Sequence, residues 1–182
     1  MENKEISIEE YLKNIGFDEE EVLNILEYAS NEIDRKALHE KIKYLIFLGL
    51  DARQIRIVIE EDITFVTEEL NIISSNGNVL KQYLNEEELK NAIEVTPELL
   101  SMKEGELEQN IRLLNLVITN KESQKIVMQD RGEILTYKPD YLSDKFSFFI
   151  NNGLKDQILK IIIENVEIFD LENYEINLEE LK

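Results

Sequence analysis

An apolar residue, a mostly polar stretch of six and a second apolar residue recur five times along the chain, and the even spacing of these copies constrains the fold more than any other feature. The copies read Leu26-EYASNE-Ile33, Ile59-EEDITF-Val66, Ile93-EVTPEL-Leu100, Met128-QDRGEI-Leu135 and, less perfectly, Ile163-ENVEIF-Asp170. Their starts lie 33, 34, 35 and 35 residues apart. Such a period marks a helical repeat, in which each unit is one supersecondary element that buries its apolar face only by stacking on its neighbours.

A second landmark precedes each copy and makes the unit a helical hairpin. Apolar residues at helical spacing mark the first helix in Leu38, Ile42, Leu45 and Ile46, in Leu107, Ile111 and Leu114, and in Leu142, Phe146, Phe149 and Ile150, and these faces are expected to be buried. Gly16-Phe17, Gly49-Leu50 and Gly153-Leu154 close it, as glycine does where a helix ends in the left-handed conformation. Asp18, Asp51 and Asn85 then cap the second helix. Thr96-Pro97-Glu98-Leu99-Leu100 suggests a threonine cap, a proline at the first position of a third short turn, and two anchoring leucines, and Pro139 opens the last first-helix in the same way. Ser74-Ser75-Asn76-Gly77-Asn78 reads as a break in a worn third unit, with Asn76 standing where a core residue is expected.

The expected fold is therefore all-α: a right- or left-handed solenoid of about five helical-hairpin repeats of about 34 residues. It forms a single domain over 1–182, with repeats near 8–34, 37–67, 68–101, 106–136 and 140–170 and an acidic tail over 171–182. Two prolines and six glycines leave few turns for a β-rich alternative. The absence of cysteine excludes disulfides and thiolate sites. No basic-then-apolar leader and no bilayer-length apolar run is legible, so a cytoplasmic protein away from membranes is expected.

The unit length, the Gly-apolar turn and the closing proline-x-leucine-leucine element resemble the helical repeats of the mitochondrial transcription termination factor (mTERF) family. The likeness covers most of residues 8–170 and is clearest in Ala37 to Val66, in Glu86 to Leu114 and in the run Thr96 to Leu100, while Gly132 and Val166 replace the proline elsewhere. The resemblance implies a curved array of two helices plus a short helix per unit, with a concave side that binds nucleic acid in that family. This chain departs from it in charge, and the expectation is an acidic version of bacterial or phage origin.

The formal net charge is -19, which repels phosphate backbones and attracts basic proteins. Residues 1–34 carry eleven acids against two lysines and residues 59–110 thirteen against three, whereas Arg35, Lys36, Lys41, Lys43, Arg53 and Arg56 outnumber Glu40 and Asp51 over residues 35–58. Those six cations are the candidate basic patch, whose ordinary role is to pair with carboxylates of neighbouring units. The candidate acidic partner surface is Glu19, Glu20, Glu60, Glu61, Asp62, Glu86, Glu87 and Glu88; at Glu19-Glu20-Glu21 and Glu86-Glu87-Glu88 the acids also complement the positive end of a helix dipole.

His39 is the only histidine and stands among cations without a second nitrogen ligand. No phosphate loop, dinucleotide fingerprint, zinc-protease motif or calcium loop occurs, so no enzyme, no metal and no cofactor is expected. The leading expectation is a protein-binding module whose acidic surface takes a basic protein, nucleic-acid-binding proteins included. Two alternatives stand beside it. One is an inhibitor that mimics nucleic acid and blocks a nuclease or a restriction or CRISPR effector; the other is direct nucleic-acid binding, which requires the six cations to converge on one groove.

Overall fold

Four of the five second helices begin where a short polar side chain satisfies a backbone N–H that the helix itself leaves unpaired. In the computed structural model, which describes residues 6–179 and 181, the side chains of Asp18, Asp51 and Asn85 accept from the backbone N–H of Glu21, Gln54 and Glu88. Those three residues return the bond, accepting on their side chains from the backbone N–H of Asp18, Asp51 and Asn85 at 2.7, 3.2 and 2.8 Å. These reciprocal caps start α2 (Glu19–Tyr28), α4 (Ala52–Glu61) and α7 (Glu86–Val95). Asn120 and Gln157 precede α9 (Lys121–Asp130) and α11 (Ile158–Glu164).

The first helices are α1 (Ile8–Asn14), α3 (Glu32–Phe47), α6 (Leu70–Leu80), α8 (Glu106–Val117) and α10 (Pro139–Asn151). Three of them end alike. Gly49 has φ 92°, its N–H bonds the Ile46 carbonyl, and the N–H of Leu50 reaches back to Leu45. Phe17 reaches Leu12 and Leu154 reaches Phe149 in the same way, and all six of these apolar residues are buried. Burying one such side chain contributes about 1.5–3 kcal/mol, which exceeds the ~1 kcal/mol that glycine costs in backbone freedom.

Every second helix stops at a residue swung out of helical geometry: Ala29, Asp62, Thr96, Arg131 and Asn165, with φ running from -99° to -148°. After four of them comes a short helical turn, α5 (Thr64–Thr67) or the 3-10 turns Pro97–Leu99, Gly132–Thr136 and Val166–Asp170. A further 3-10 turn, Lys155–Gln157, leads into α11. Among the described residues there is no strand.

Counterparts in successive units pack on each other. α3 lies on α6, α6 on α8 and α8 on α10, while α4 lies on α7, α7 on α9 and α9 on α11, and the turns Pro97–Leu99 and Gly132–Thr136 touch. Buried apolar residues form one cluster running from Ile8 to Leu181.

Several sequence expectations are corrected. The run Ser74 to Asn78 is no break: α6 is continuous through it, and Asn76 is buried and hydrogen-bonded. Ile33 is 79 % exposed, because the first unit has no short turn and α3 begins directly after Asn31, whereas Val66, Leu100 and Leu135 are buried. In the last copy the anchor is Phe169, not Asp170. Ile46 and Ile150 face outward although Leu38, Ile42, Leu45, Leu142, Phe146 and Phe149 are buried. Thr96 precedes Pro97 as expected, yet its side chain makes no capping bond.

Candidate interaction surface

One buried polar residue recurs in the middle of four first helices: Lys41, Asn76, Asn110 and Lys145, 35, 34 and 35 residues apart. Helical periodicity turns each inward beside an apolar neighbour, where an unpaired polar group is costly. Each donates to carbonyls at the end of the short turn that follows the second helix, while Asn110 Oδ1 is buried without a donor. The Asn76 amide donates to the carbonyls of Leu100 and Met102 at 3.0 and 2.7 Å, and the Asn110 amide to those of Leu135 and Tyr137, both at 2.7 Å. Lys41 Nζ donates to Phe65, Val66 and Glu68 at 2.9, 2.6 and 2.9 Å. Lys145 Nζ donates to the Leu171 carbonyl and to Asn173 Oδ1. These side chains act as brackets that join a first helix to its own unit's closing turn.

The brackets change the reading of the basic stretch. Lys41 is 1 % exposed, so it offers no charge to a partner and is removed from the candidate patch. Burial pulls its ammonium down to about 8, against the opposing pull of Glu68 and Asp34. Lys145 is lowered by burial as well.

The other five cations do not converge. Arg35 bonds Glu9 on α1 at 2.9 Å and the Ala29 carbonyl at 3.3 Å. Lys36 is exposed on α3, and Lys43 pairs with Glu40 at 2.8 Å. Arg56 points back towards α2: it bonds Glu21 at 2.9 Å, Glu60 at 2.6 Å and the Gly16 carbonyl, with its guanidinium 4.9 Å from the centre of the Phe17 ring. Arg53 points forward to α7 and bonds Glu94 at 2.7 Å, beside a bond from Gln54 to the same carboxylate at 2.8 Å. The Gln54 bond, then Arg53, holds Glu94 below the usual carboxylate range. Lys125 on α9 continues the series by bonding Glu88 on α7 at 3.1 Å. Cations of the second helices thus tie each helix to its neighbour, in partly exposed pairs worth about 0–1 kcal/mol apiece.

The candidate acids separate into two groups. Asp62 is buried: its Oδ1 accepts from the N–H and hydroxyl of Thr64 to start α5, so it is not part of a surface. Glu88 is half-buried in its cap and its pair with Lys125, and the Asn85 backbone N–H, more than Lys125, lowers its pKa. Glu60 is exposed but bonded to Arg56. Glu19, Glu20, Glu61, Glu86 and Glu87 are exposed, Glu19 lying 3.5 Å from Lys13 and Glu86 and Glu87 sharing Lys90.

Close approach between units depends on small residues that the repeat pattern passed over. A Cβ on Gly77 would stand 2.5 Å from the hydroxyl of Tyr44, which bonds the Ser74 carbonyl, so α3 and α6 meet at this glycine. A Cβ on Gly132 would stand 2.7 Å from Thr96 Oγ1, which accounts for glycine where the preceding unit has proline. His39 is half-buried, its ring 6.3 Å from that of Tyr11. Among the described residues no group of three or more His, Cys, Asp or Glu could hold a metal ion, and no helix is long and apolar enough to cross a membrane.

Sequence reasoning missed the brackets because Lys and Asn count as surface residues by type. The available signal was positional: Leu38, Ile73, Leu107 and Leu142 each precede one by three residues. No curated protein matches the chain. The mTERF family model matches it over residues 2–172, and the chain belongs to that family of helical-repeat proteins.

Proposed function

We propose that the units stack as a solenoid of about five helical-hairpin repeats in one domain, and that this non-enzymatic array is a protein-binding module whose acidic surface receives a basic protein. One observation carries the reading. Of the six cations that could have formed a phosphate-binding groove, Lys41 is buried and Arg35, Lys43, Arg53 and Arg56 each bond a carboxylate of this chain, while Glu20, Glu61, Glu86 and Glu87 remain exposed. With a net charge of -19 the long-range field favours a cationic partner and speeds encounter with it. In a variant of the same reading the acids imitate phosphates and block a nuclease or a restriction or CRISPR effector. Family membership favours a second reading, direct binding of nucleic acid.

The test is capture from host lysate by the purified chain, with and without nuclease, compared with a variant carrying Glu19→Gln, Glu20→Gln, Glu86→Gln and Glu87→Gln. A basic protein retained after nuclease, eluted by moderate salt and lost in the variant is the expected result. Recovered DNA or RNA that nuclease removes would overturn it and establish the second reading.

A further inference from the structure

The cavity between the turn after α6 and the first turn of α9 differs in chemistry from its surroundings. It measures about 480 Å³ and is walled by Gln82, Tyr83, Asn115, Lys121 and Lys125 over the buried side chain of Met128. No carboxylate lines it, in a chain whose acids outnumber its lysines and arginines 39 to 20. Lys125 is anchored by Glu88 at 3.1 Å and Glu122 at 3.8 Å. Among the described residues the side chains of Lys121, Gln82 and Tyr83 have no hydrogen-bond or ion-pair partner, so free donors from two places in the sequence meet here. Asn115 adds the opposite need: its Oδ1 is buried and receives no hydrogen bond, which a donor on a ligand would supply.

The unpaired Lys121, the Gln82 and Tyr83 donors lining the same cavity, and Lys125, shared with Glu88 and Glu122, suit a compact oxyanion, and a phosphate monoester offers three acceptor oxygens where a carboxylate offers two. The volume falls in the range of small-molecule sites, about 300–1,000 Å³, and a bare phosphate would leave most of it empty. A polymer backbone would need a continuing cationic track, whereas Glu88 and Glu122 stand beside this cavity at 3.1 and 3.8 Å from Lys125. We propose that this cavity binds a small phosphorylated molecule of sugar-phosphate or mononucleotide size, its phosphate at Lys121 and Lys125 and its donor groups at Asn115. The site is independent of the protein-binding surface and stands or falls without it.

The experiment is amide NMR of the full chain titrated separately with ribose 5-phosphate, AMP and inorganic phosphate, repeated in Lys121→Ala and in the exposed control Lys155→Ala. Saturable shifts confined to residues 82–83 and 115–128 are expected for at least one of the two organic phosphates, with half-saturation at about 1 mM or below. Lys121→Ala should weaken it by at least ~10-fold and Lys155→Ala should leave it unchanged. Shifts spread over all exposed lysines, no saturation by ~10 mM, or an unaltered Lys121→Ala titration would overturn the proposal. So would inorganic phosphate binding as tightly as the organic ligands, or Lys121-dependent binding of an oligonucleotide alone.

Discussion

Replacing Asn110 by Ala removes one bracket and nothing else that touches solvent, since the side chain is fully buried. The amide donates two hydrogen bonds, both at 2.7 Å, to the carbonyls of Leu135 and Tyr137. Each is worth about 1 kcal/mol net, and a carbonyl left buried without a donor costs about 1–3 kcal/mol. The Leu135 carbonyl meets that full cost, because its residue is fully buried, whereas Tyr137 is half-exposed and water can replace the lost donor there. The same substitution removes the buried, donorless Asn110 Oδ1 and so offsets part of that cost, leaving an expected loss of about 1–3 kcal/mol, a large share of a typical domain's margin. Urea denaturation read by circular dichroism measures it, with the exposed Asn91→Ala as control and amide exchange over residues 132–137 locating the damage. A loss below about 0.5 kcal/mol, with exchange in that turn unchanged, would refute the idea that the brackets hold the closing turns.

Other consequences can be checked with the same protein. Gly77→Ala should destabilise by about 1–3 kcal/mol, because its Cβ meets the Tyr44 hydroxyl at 2.5 Å; adding Tyr44→Phe should cost less than the two single changes summed, as thermal melts of the four proteins will show. Lys41 binds a proton less tightly folded, at about 8, than unfolded, at 10.5, so the folded chain carries fewer protons between those values and its stability contribution rises with pH across that window. Wild type compared with Lys41→Met from pH 7 to 10 should show this slope only in the wild type; equal slopes would contradict it. Asn85→Ala should lower stability by about 1 kcal/mol through loss of its cap, read by chemical denaturation, with the fastest amide exchange appearing in the first turn of α7.

Much of this architecture was legible because its causes are local. The caps at Asp18, Asp51 and Asn85 and the glycine turns at Gly16, Gly49 and Gly153 depend on residues within five positions of each other, so the sequence displays both partners of each interaction. The brackets were not legible for the converse reason. Asn76 bonds carbonyls 24 and 26 residues away, and nothing about a carbonyl's availability is written in the residue that carries it. The same blindness made Ser74 to Asn78 look like a break, since a polar, glycine-containing run disfavours an isolated helix while tertiary packing against Tyr44 and the closing turn holds α6 in place. The candidate surface was half legible: the excess of acid over base was visible, but Lys41 and Asp62 look like surface charges in a sequence and are core residues in the fold.

The brackets also decide where the array can be cut and rejoined. A stretch running from one bracket to the next carries a complete set of donors and acceptors, because Asn76 is answered within 26 residues and Asn110 begins the following set. Excising such a stretch, or splicing in a duplicate of it, leaves every buried amide facing a carbonyl. A change that removes a bracket without a turn, or a turn without a bracket, strands a donor or a carbonyl in the core. Any engineered lengthening or shortening should therefore add or remove brackets and closing turns in equal number.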